Sequence, residues 1–322
     1  MSAVTPIGET GAASGRASWP LELAALGAIW GASFLFMRVS AVDFGPVPQV
    51  TVRLGLGALA LAPWWWRARA RFTLDRWPWL LAIGLINSAL PFLLFSWAAQ
   101  QAPAGVSAIA NATTVLFAAV IGALCFGEAV DRRRAIAIGV GLLGVIVLAA
   151  GKVEGVQLGW PVAAALLASF CYGIGLHLVR RRLSDLPAAA VAAATLGTSA
   201  LLLAPLAGWQ WPATPIPARA WLATLALGLL CTGLAYVLYY RLVARVGPAR
   251  TSTVTYLVPA FGVAWAWWLL DEPLTPRMGL AALLILGSVM GAQRIARPGS
   301  VWRRENLLPD DRRCHANDGE IG

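Results

Sequence analysis

Residues 103–126, PAGVSAIANATTVLFAAVIGALCF, run for 24 positions without a charged side chain. About 20 apolar residues in a helix cross the roughly 30 Å hydrocarbon core of a bilayer, so this stretch predicts a membrane-spanning helix. The whole chain has the same character: 59% of its 322 residues are hydrophobic, 12% are charged, and the mean hydropathy is +0.69. A soluble domain carries about 25% charged residues. The composition therefore indicates a polytopic membrane protein and excludes a soluble enzyme or nucleic-acid binder as the main interpretation, despite a net charge of +10.

Nine further runs are predominantly apolar and of similar length, and Gly and Pro residues that favour turns mark several of the breaks between runs. The ten runs cover residues 19–40, 46–66, 77–100, 103–126, 134–151, 158–180, 187–207, 219–242, 248–270 and 277–296. We therefore predict an all-α membrane protein with ten transmembrane helices. A short segment, 1–18, precedes the first run, and a basic tail, 297–322, follows the last.

The basic residues predict the orientation of these runs. With the N-terminus placed inside, 20 of the 25 Lys and Arg residues fall in internal connections and termini, and three fall in external ones. Connections on the cytoplasmic side of a membrane carry an excess of Lys and Arg. We therefore expect a multi-pass protein of the inner (plasma) membrane with both termini in the cytoplasm.

The chain contains an internal repeat. A displacement of 144 residues aligns many positions of the two halves, and a displacement of 142 aligns the first helix of each. The aligned pairs include Gly84 with Gly228, Phe92 with Tyr236, Phe95 with Tyr239, Phe117 with Phe261, Glu128 with Glu272, Trp30 with Tyr172 and Arg38 with Arg180. Each unit, 19–151 and 156–296, holds five predicted helices. Because five is odd, the second unit must enter the membrane from the opposite side, as in the inverted repeats of secondary transporters.

A set of motifs follows in order along both units. They read AIWGASF at 28–34, GLLCTGLAY at 228–236, RVGPARTS at 245–252, YLVP at 256–259 and DEPL at 271–274. Over residues 19–296 the chain resembles the EamA family of the drug/metabolite transporter superfamily. The resemblance implies alternating-access transport of small metabolites, notably amino acids, without ATP. In one departure, Val115 stands where the second repeat has Pro259 and the family usually has proline, so we expect helix four to lack a kink.

Polar and aromatic side chains within the predicted spans are the candidates for a substrate cavity, because polar groups in hydrocarbon tend to face a cavity or a partner. Ser107, Asn111 and Thr114 share one face of helix four, and the repeat carries this stripe to helix nine. Packing between helices is the alternative explanation. The candidate lining residues are Trp30, Phe34, Arg53, Asn87, Ser107, Asn111, Thr114, Tyr172, Tyr236, Thr251 and Thr255.

Arg53 is the charge that is hardest to explain structurally, because it lies seven residues inside helix two and no acidic residue lies in the middle of a span. Its guanidinium suits a substrate carboxylate or phosphate. Carbonyl capping or a structural pair is the alternative.

The remaining polar candidates are assigned to gating, coupling or structure. Arg38, His177 and Pro259 are candidates for gating or coupling, although Arg38 could instead extend outward or pair with Asp43, and His177 could be structural. We interpret Glu128 and Glu272 as structural groups at helix ends, with Arg132 within i+4 reach of Glu128.

The sequence as a whole predicts a secondary transporter that moves a small organic metabolite, with export of an amino acid or related zwitterion favoured. A carrier for multiple drugs or apolar compounds is the alternative within transport. An intramembrane enzyme would need His, Asp or Cys clustered at one depth, which the sequence lacks. We expect no cofactor, metal, ATP or nucleic acid, since the only lysine, Lys152, precedes Val153 and no P-loop is present. The expected partners are a small-molecule substrate and the lipid bilayer, and we expect a monomer.

Overall fold

The computed structural model describes residues 18–128, 130–153 and 156–294. The predicted terminal segments therefore lie outside the described residues, apart from Ser18. The helices of the first half are α1 (Trp19–Phe44), α2 (Pro46–Ala68), α3 (Trp77–Gly84), a π-helix (Leu85–Ala89), α4 (Leu90–Gln101), α5 (Ala104–Asn111), α6 (Thr114–Phe126) and α7 (Arg132–Ala149). Two short 3₁₀ turns, Arg69–Arg71 and Leu74–Arg76, join α2 to α3.

A two-residue antiparallel pair, β1 (Lys152–Val153) and β2 (Val156–Gln157), joins the halves. The helices of the second half are α8 (Gly159–Arg182), α9 (Ala188–Trp209), α10 (Ala218–Leu225), a π-helix (Ala226–Leu234), α11 (Ala235–Val246), α12 (Pro248–Thr251), α13 (Val254–Leu270) and α14 (Pro276–Arg294). Apart from the two-residue pair, the regular structure of the described residues is helical, as predicted.

Within the described residues, six stretches made of one or more consecutive helical elements are long and apolar enough to cross a membrane. They are Trp19–Phe44, Leu74–Gln101, Ala104–Phe126, Gly159–Arg182, Ala188–Trp209 and Ala218–Val246. Val254–Leu270 and Pro276–Ala292 are apolar but shorter. The chain is thus a multi-pass helical membrane protein, whereas the count of ten spans stays a prediction.

The absence of a kink in helix four stays a prediction, but the α-helical hydrogen-bond pattern of this helix is interrupted without a proline. The helix breaks between α5 and α6, where the N–H of Thr113 bonds to the carbonyl of Ala110, only three residues back. The Thr113 hydroxyl donates to the same carbonyl at 2.6 Å. The second half breaks in the same way between α12 and α13, where the Thr253 hydroxyl donates to the Arg250 carbonyl at 2.7 Å. A threonine that binds its own backbone competes with the helical ladder, so the break needs no proline.

The first helices of the two halves run in opposite directions. α1 begins where Glu22 pairs with Arg245, and α8 ends where the carbonyl of Arg182 accepts a hydrogen bond from Arg76 at 2.9 Å. Both contacts lie at the end of the bundle where α2 finishes and α3 starts, which we call the arginine-rich end. At the other end, called the Glu272 end, Arg277 donates to the carbonyl of Ala150 at 3.1 Å.

The helices pack in pairs that the repeat relates. α2 packs against its equivalent α9, and α7 packs against its equivalent α14. α1 contacts α13 just as α8 contacts α6. A Cβ added to Gly31 of α1 would lie 2.8 Å from the backbone nitrogen of Gly262, and one added to Gly173 of α8 would lie 3.0 Å from that of Ala118. Glycine thus permits the same close approach in both halves.

Candidate functional site

Six aromatic rings lie where α1 and α8 meet the opposite halves, and we call them the central aromatic cluster: Trp30, Phe92, Phe95, Tyr172, Tyr236 and Tyr239. The Trp30 ring lies 6.3 Å from Tyr236 and 5.4 Å from Tyr239, measured between centroids. The repeat-equivalent Tyr172 ring lies 6.5 Å from Phe92 and 6.2 Å from Phe95. Both halves therefore contribute equivalent rings to one shared region, which includes the predicted Trp30, Tyr172 and Tyr236.

Arg53 reaches this cluster from α2. Its side chain is buried, with the residue 5% exposed, and its Cζ lies 3.8 Å above the Phe92 ring centroid. Nε donates to the Thr232 hydroxyl at 3.1 Å, and Nη1 lies 3.7 Å from the Met37 sulfur. Among the described residues no carboxylate lies within 4 Å of the guanidinium, and Nη2 donates no hydrogen bond. The cation is thus held by neutral groups and keeps donors to offer.

The hydroxyl that accepts the hydrogen bond of Arg53 belongs to a π-helix. Thr232 lies in the π-helix Ala226–Leu234, and its hydroxyl donates to the carbonyl of Leu227, five residues back, at 2.8 Å. The same oxygen accepts the Arg53 hydrogen bond. The first half carries a π-helix at the corresponding place, Leu85–Ala89. Single π-helical turns are rare and often occur at functional sites.

The repeat gives Arg53 no charged counterpart. A Cβ on Gly228 would lie 3.2 Å from the Arg53 carbonyl, and one on the equivalent Gly84 would lie 2.9 Å from the Thr195 carbonyl. Thr195 therefore occupies the matching position in α9. Its hydroxyl only donates to carbonyls of its own helix. Since the same helix packing tolerates threonine there, packing alone does not call for the cation of Arg53.

Beside Arg53 lies a buried polar network that the sequence analysis did not identify. The Gln49 amide donates to the carbonyl of Met37 at 3.3 Å and to the Ser40 hydroxyl at 2.5 Å, and it accepts from Ser96. Gln49 precedes Arg53 by four residues and so shares its helix face. That spacing is the signal from which the network could have been found. The network links α1, α2 and α4 next to the Arg53 guanidinium.

The other predicted lining residues are spread around this region. Phe34 contacts Phe95 with centroids 5.6 Å apart, and the Asn87 side chain packs against Gly175 of α8. Ser107 is buried on α5, Asn111 ends that helix, and the Thr114 hydroxyl is buried with no hydrogen-bond partner in the described part of the chain.

In the second half the polar stripe binds its own backbone. Thr251 donates to the carbonyl of Gly247 at 2.9 Å, and Thr255 donates to that of Ser252 at 2.8 Å. Pro259 is buried inside α13. Because these hydroxyls are used locally, their role in a cavity stays a prediction.

The Glu272 end is closed by contacts among four helices. The Glu272 carboxylate accepts from the N–H groups of Ala104 at 3.0 Å and Gly105 at 3.4 Å, at the N-terminus of α5. Arg38 Nε lies 3.7 Å from the same carboxylate, and Arg38 Nη1 donates to the carbonyl of Ala99 at 2.7 Å. We call these contacts the Arg38–Glu272 clamp. A negative charge at a helix N-terminus is favourable, so the clamp ties α1, α4, α5 and the end of α13 together.

The clamp contradicts one alternative from the sequence analysis, namely that Arg38 pairs with Asp43. Arg38 pairs with Glu272 and not with Asp43, which instead lies 3.7 Å from Arg219. A cavity of about 350 Å³ opens beside the clamp and is lined by Arg38, Val39, Val42, Arg219, Leu270, Asp271 and Glu272.

The arginine-rich end carries the repeat-equivalent carboxylate, Glu128. It lies 4.0 Å from Arg134 and 4.0 Å from Nδ1 of His177, so its basic neighbour is Arg134 and not the predicted Arg132. His177 Nε2 lies 2.9 Å from the carbonyl of Ala118. A cavity of about 260 Å³ is lined by Phe126, Glu128, His177, Arg180 and Arg181. In the described residues, no three His, Cys, Asp or Glu side chains come together as a metal site.

Secondary transporters with inverted repeats place their substrate site between the two halves, where this chain has its aromatic cluster. The sequence comparisons also point to a transporter. The profile of the EamA-like transporter family matches residues 18–150 and 159–292, one match in each half. The chain belongs to this family. Membership confirms the resemblance, and it makes the chain a membrane transporter of the drug/metabolite type.

Names that refer to amino acids occur among its relatives. A protein of Streptantibioticus cattleyicolor named "Probable terminal-alkyne amino-acid exporter" is 27% identical over 307 residues, covering 92% of this chain and 99% of the relative. A protein of Escherichia coli named "Probable amino-acid metabolite efflux pump" is 25% identical, covering 80% and 89%. A solved crystal structure with 21% identity superposes with a TM-score of 0.58 over 87% of this chain and 98% of its own, which shows a shared fold.

Proposed function

We propose that the protein is a secondary transporter that exports an amino acid or a related zwitterion across the inner membrane by alternating access. The observation that carries this proposal is Arg53, a buried guanidinium that, within the part of the chain that the structure describes, has no carboxylate beside it and no hydrogen bond from Nη2. A bidentate bond to a substrate carboxylate would neutralise it. The relatives named as amino-acid exporters support the same substrate class.

The proposal is tested by counterflow in proteoliposomes. Radiolabelled leucine and phenylalanine are the first probes, because the aromatic cluster would accommodate apolar side chains. We expect the unlabelled amino acids to drive counterflow, while their methyl esters, which lack the carboxylate charge, do not. Equal counterflow by acid and ester would contradict carboxylate recognition.

A carrier for apolar or cationic drugs is the second candidate, and the aromatic cluster favours it because aromatic faces attract cations. Arg53 opposes it, since a buried positive charge repels a cationic substrate. Ethidium uptake into inverted vesicles separates the two candidates. If the protein is a drug carrier, it moves ethidium, and an excess of leucine does not change the rate of ethidium uptake. If it is an amino-acid exporter, it moves leucine, and an excess of ethidium does not change the rate of leucine transport.

We further propose ten spans, with the arginine-rich end in the cytoplasm and Glu128 and Glu272 on opposite sides. Single cysteines at Val130 and Leu274, in a background without native cysteines, test this topology with an impermeant maleimide on intact cells. We expect labelling at Leu274 only, and labelling at Val130 after the membrane is opened. Labelling of both positions from outside would refute the topology.

A further inference from the structure

The two ends of the bundle differ although the repeat makes them equivalent. The Glu272 side chain is 11% exposed and is held by Arg38 and by two backbone N–H groups. The Glu128 side chain is 39% exposed, and its ion-pair contacts among the described residues are those at 4.0 Å to Arg134 and His177. One end is therefore clamped, while the carboxylate of the other end is loosely held.

The hydrogen bond of His177 determines where its ring can take up a proton. The carbonyl of Ala118 can only accept, so Nε2 carries the hydrogen and the neutral ring has a bare lone pair on Nδ1. Nδ1 faces the Glu128 carboxylate at 4.0 Å, which is too long for a hydrogen bond. A second proton on Nδ1 would turn this contact between two acceptors into an attraction between imidazolium and carboxylate.

The charges around His177 come from three elements. Glu128 follows α6, Arg134 belongs to α7, and Arg180 and Arg181 belong to α8 itself, with the Arg181 Cζ 4.0 Å above the Phe126 ring. The arginines keep their charge at all physiological pH values, whereas imidazole gains and loses its proton near neutral pH.

Helix packing does not require a histidine at this position. The displacement of 142 residues pairs His177 with Leu35, which is buried in α1. The first half thus builds the same helix contact with an apolar side chain. At the Glu272 end, the basic partner of the carboxylate is Arg38, which is always charged. At the Glu128 end, the basic neighbours are Arg134 and His177, and an imidazole can be charged or neutral.

We propose that His177 and Glu128 form a proton-operated clamp, the counterpart at the arginine-rich end of the Arg38–Glu272 clamp. A proton that enters the 260 Å³ cavity binds Nδ1 of His177 and draws Glu128 onto the ring, which closes this end. Return of the proton to the cavity releases Glu128. The proton would then be the ion that controls transport, so this inference rests on the proposed transport function.

The first test measures the proton directly and needs no substrate. The chain has two histidines, so His315→Ala, a change outside the described residues, leaves His177 as the sole imidazole. Its ¹⁵N chemical shifts are followed against pH in detergent. We expect these shifts to respond to pH, and we expect Glu128→Gln to change that response because the carboxylate beside Nδ1 is lost. An unchanged pH response in Glu128→Gln would overturn the clamp.

The second test is counterflow against pH, with the same pH on both sides. We expect the His315→Ala control to change rate by about fivefold or more between about pH 5.5 and 8, the range in which imidazole titrates. His177→Gln keeps a donor for Ala118 and is expected to be nearly flat over this range. A variant with the control's pH profile would refute the proposal. If no amino acid is transported, the proposed function fails while the titration still decides the clamp.

Discussion

Replacement of Arg53 by methionine is expected to abolish amino-acid export without loss of folded protein. The guanidinium is the buried cation available to a carboxylate in the described part of the chain, and a charge-assisted hydrogen bond contributes about 1.5–3 kcal/mol, or roughly 10–100-fold in affinity. Methionine fills similar volume without a buried charge, so we expect unchanged or raised thermal stability. Thr232 still donates to Leu227 and is not left unsatisfied.

Two further variants identify what Arg53 contributes. Arg53→Lys keeps the charge but loses the planar fork, so transport should fall while some activity remains. Thr195→Val changes the repeat-equivalent position, where the hydroxyl donates to two carbonyls of its own helix. It should transport within about twofold of the wild-type rate because only these local hydrogen bonds are lost. Uptake and the detergent unfolding temperature are measured for each variant. Normal transport by a well-folded Arg53→Met protein would exclude substrate binding by Arg53.

Replacement of Gly31 by alanine is expected to destabilise the fold strongly. The added methyl would lie 2.8 Å from the backbone nitrogen of Gly262 and 3.0 Å from the carbonyl carbon of Phe261, so a side-chain movement alone cannot relieve the clash. Overpacking of this kind costs about 1–3 kcal/mol and occasionally more. Because α1 meets α13 across the two halves here, the whole interface must shift.

Gly55→Ala is the matched control, since nothing lies within 4 Å of its added methyl. Alanine within a helix gains about 0.5–1 kcal/mol over glycine, so this variant should unfold at the same temperature or higher. Gly173→Ala should behave like Gly31→Ala because its methyl meets the backbone of Ala118 at 3.0 Å. Equal unfolding temperatures for Gly31→Ala and Gly55→Ala would show that the close approach does not limit stability.

Several features of the site could be predicted from the sequence because they depend on local pattern. A guanidinium seven residues inside an apolar helix is visible without coordinates, and so is the exchange of Trp30 for Tyr172 between the repeats. The partner of Arg53 could not be predicted, since Thr232 lies 179 residues away and becomes available through a π-helix. Helical periodicity identifies the face of a helix, but it does not identify the helix that packs against that face.

A helical membrane protein with two related halves is evident from the amino-acid sequence, because hydropathy and repeat spacing act over one helix or one unit at a time. Tertiary structure alone decided which charges meet. Arg38 pairs with Glu272 across 234 positions, and Glu128 lies beside His177 and Arg134 and not Arg132. It also decided that helix four breaks at Thr113 without proline. Contacts between distant segments depend on how whole helices pack, and one helix in isolation does not contain that information.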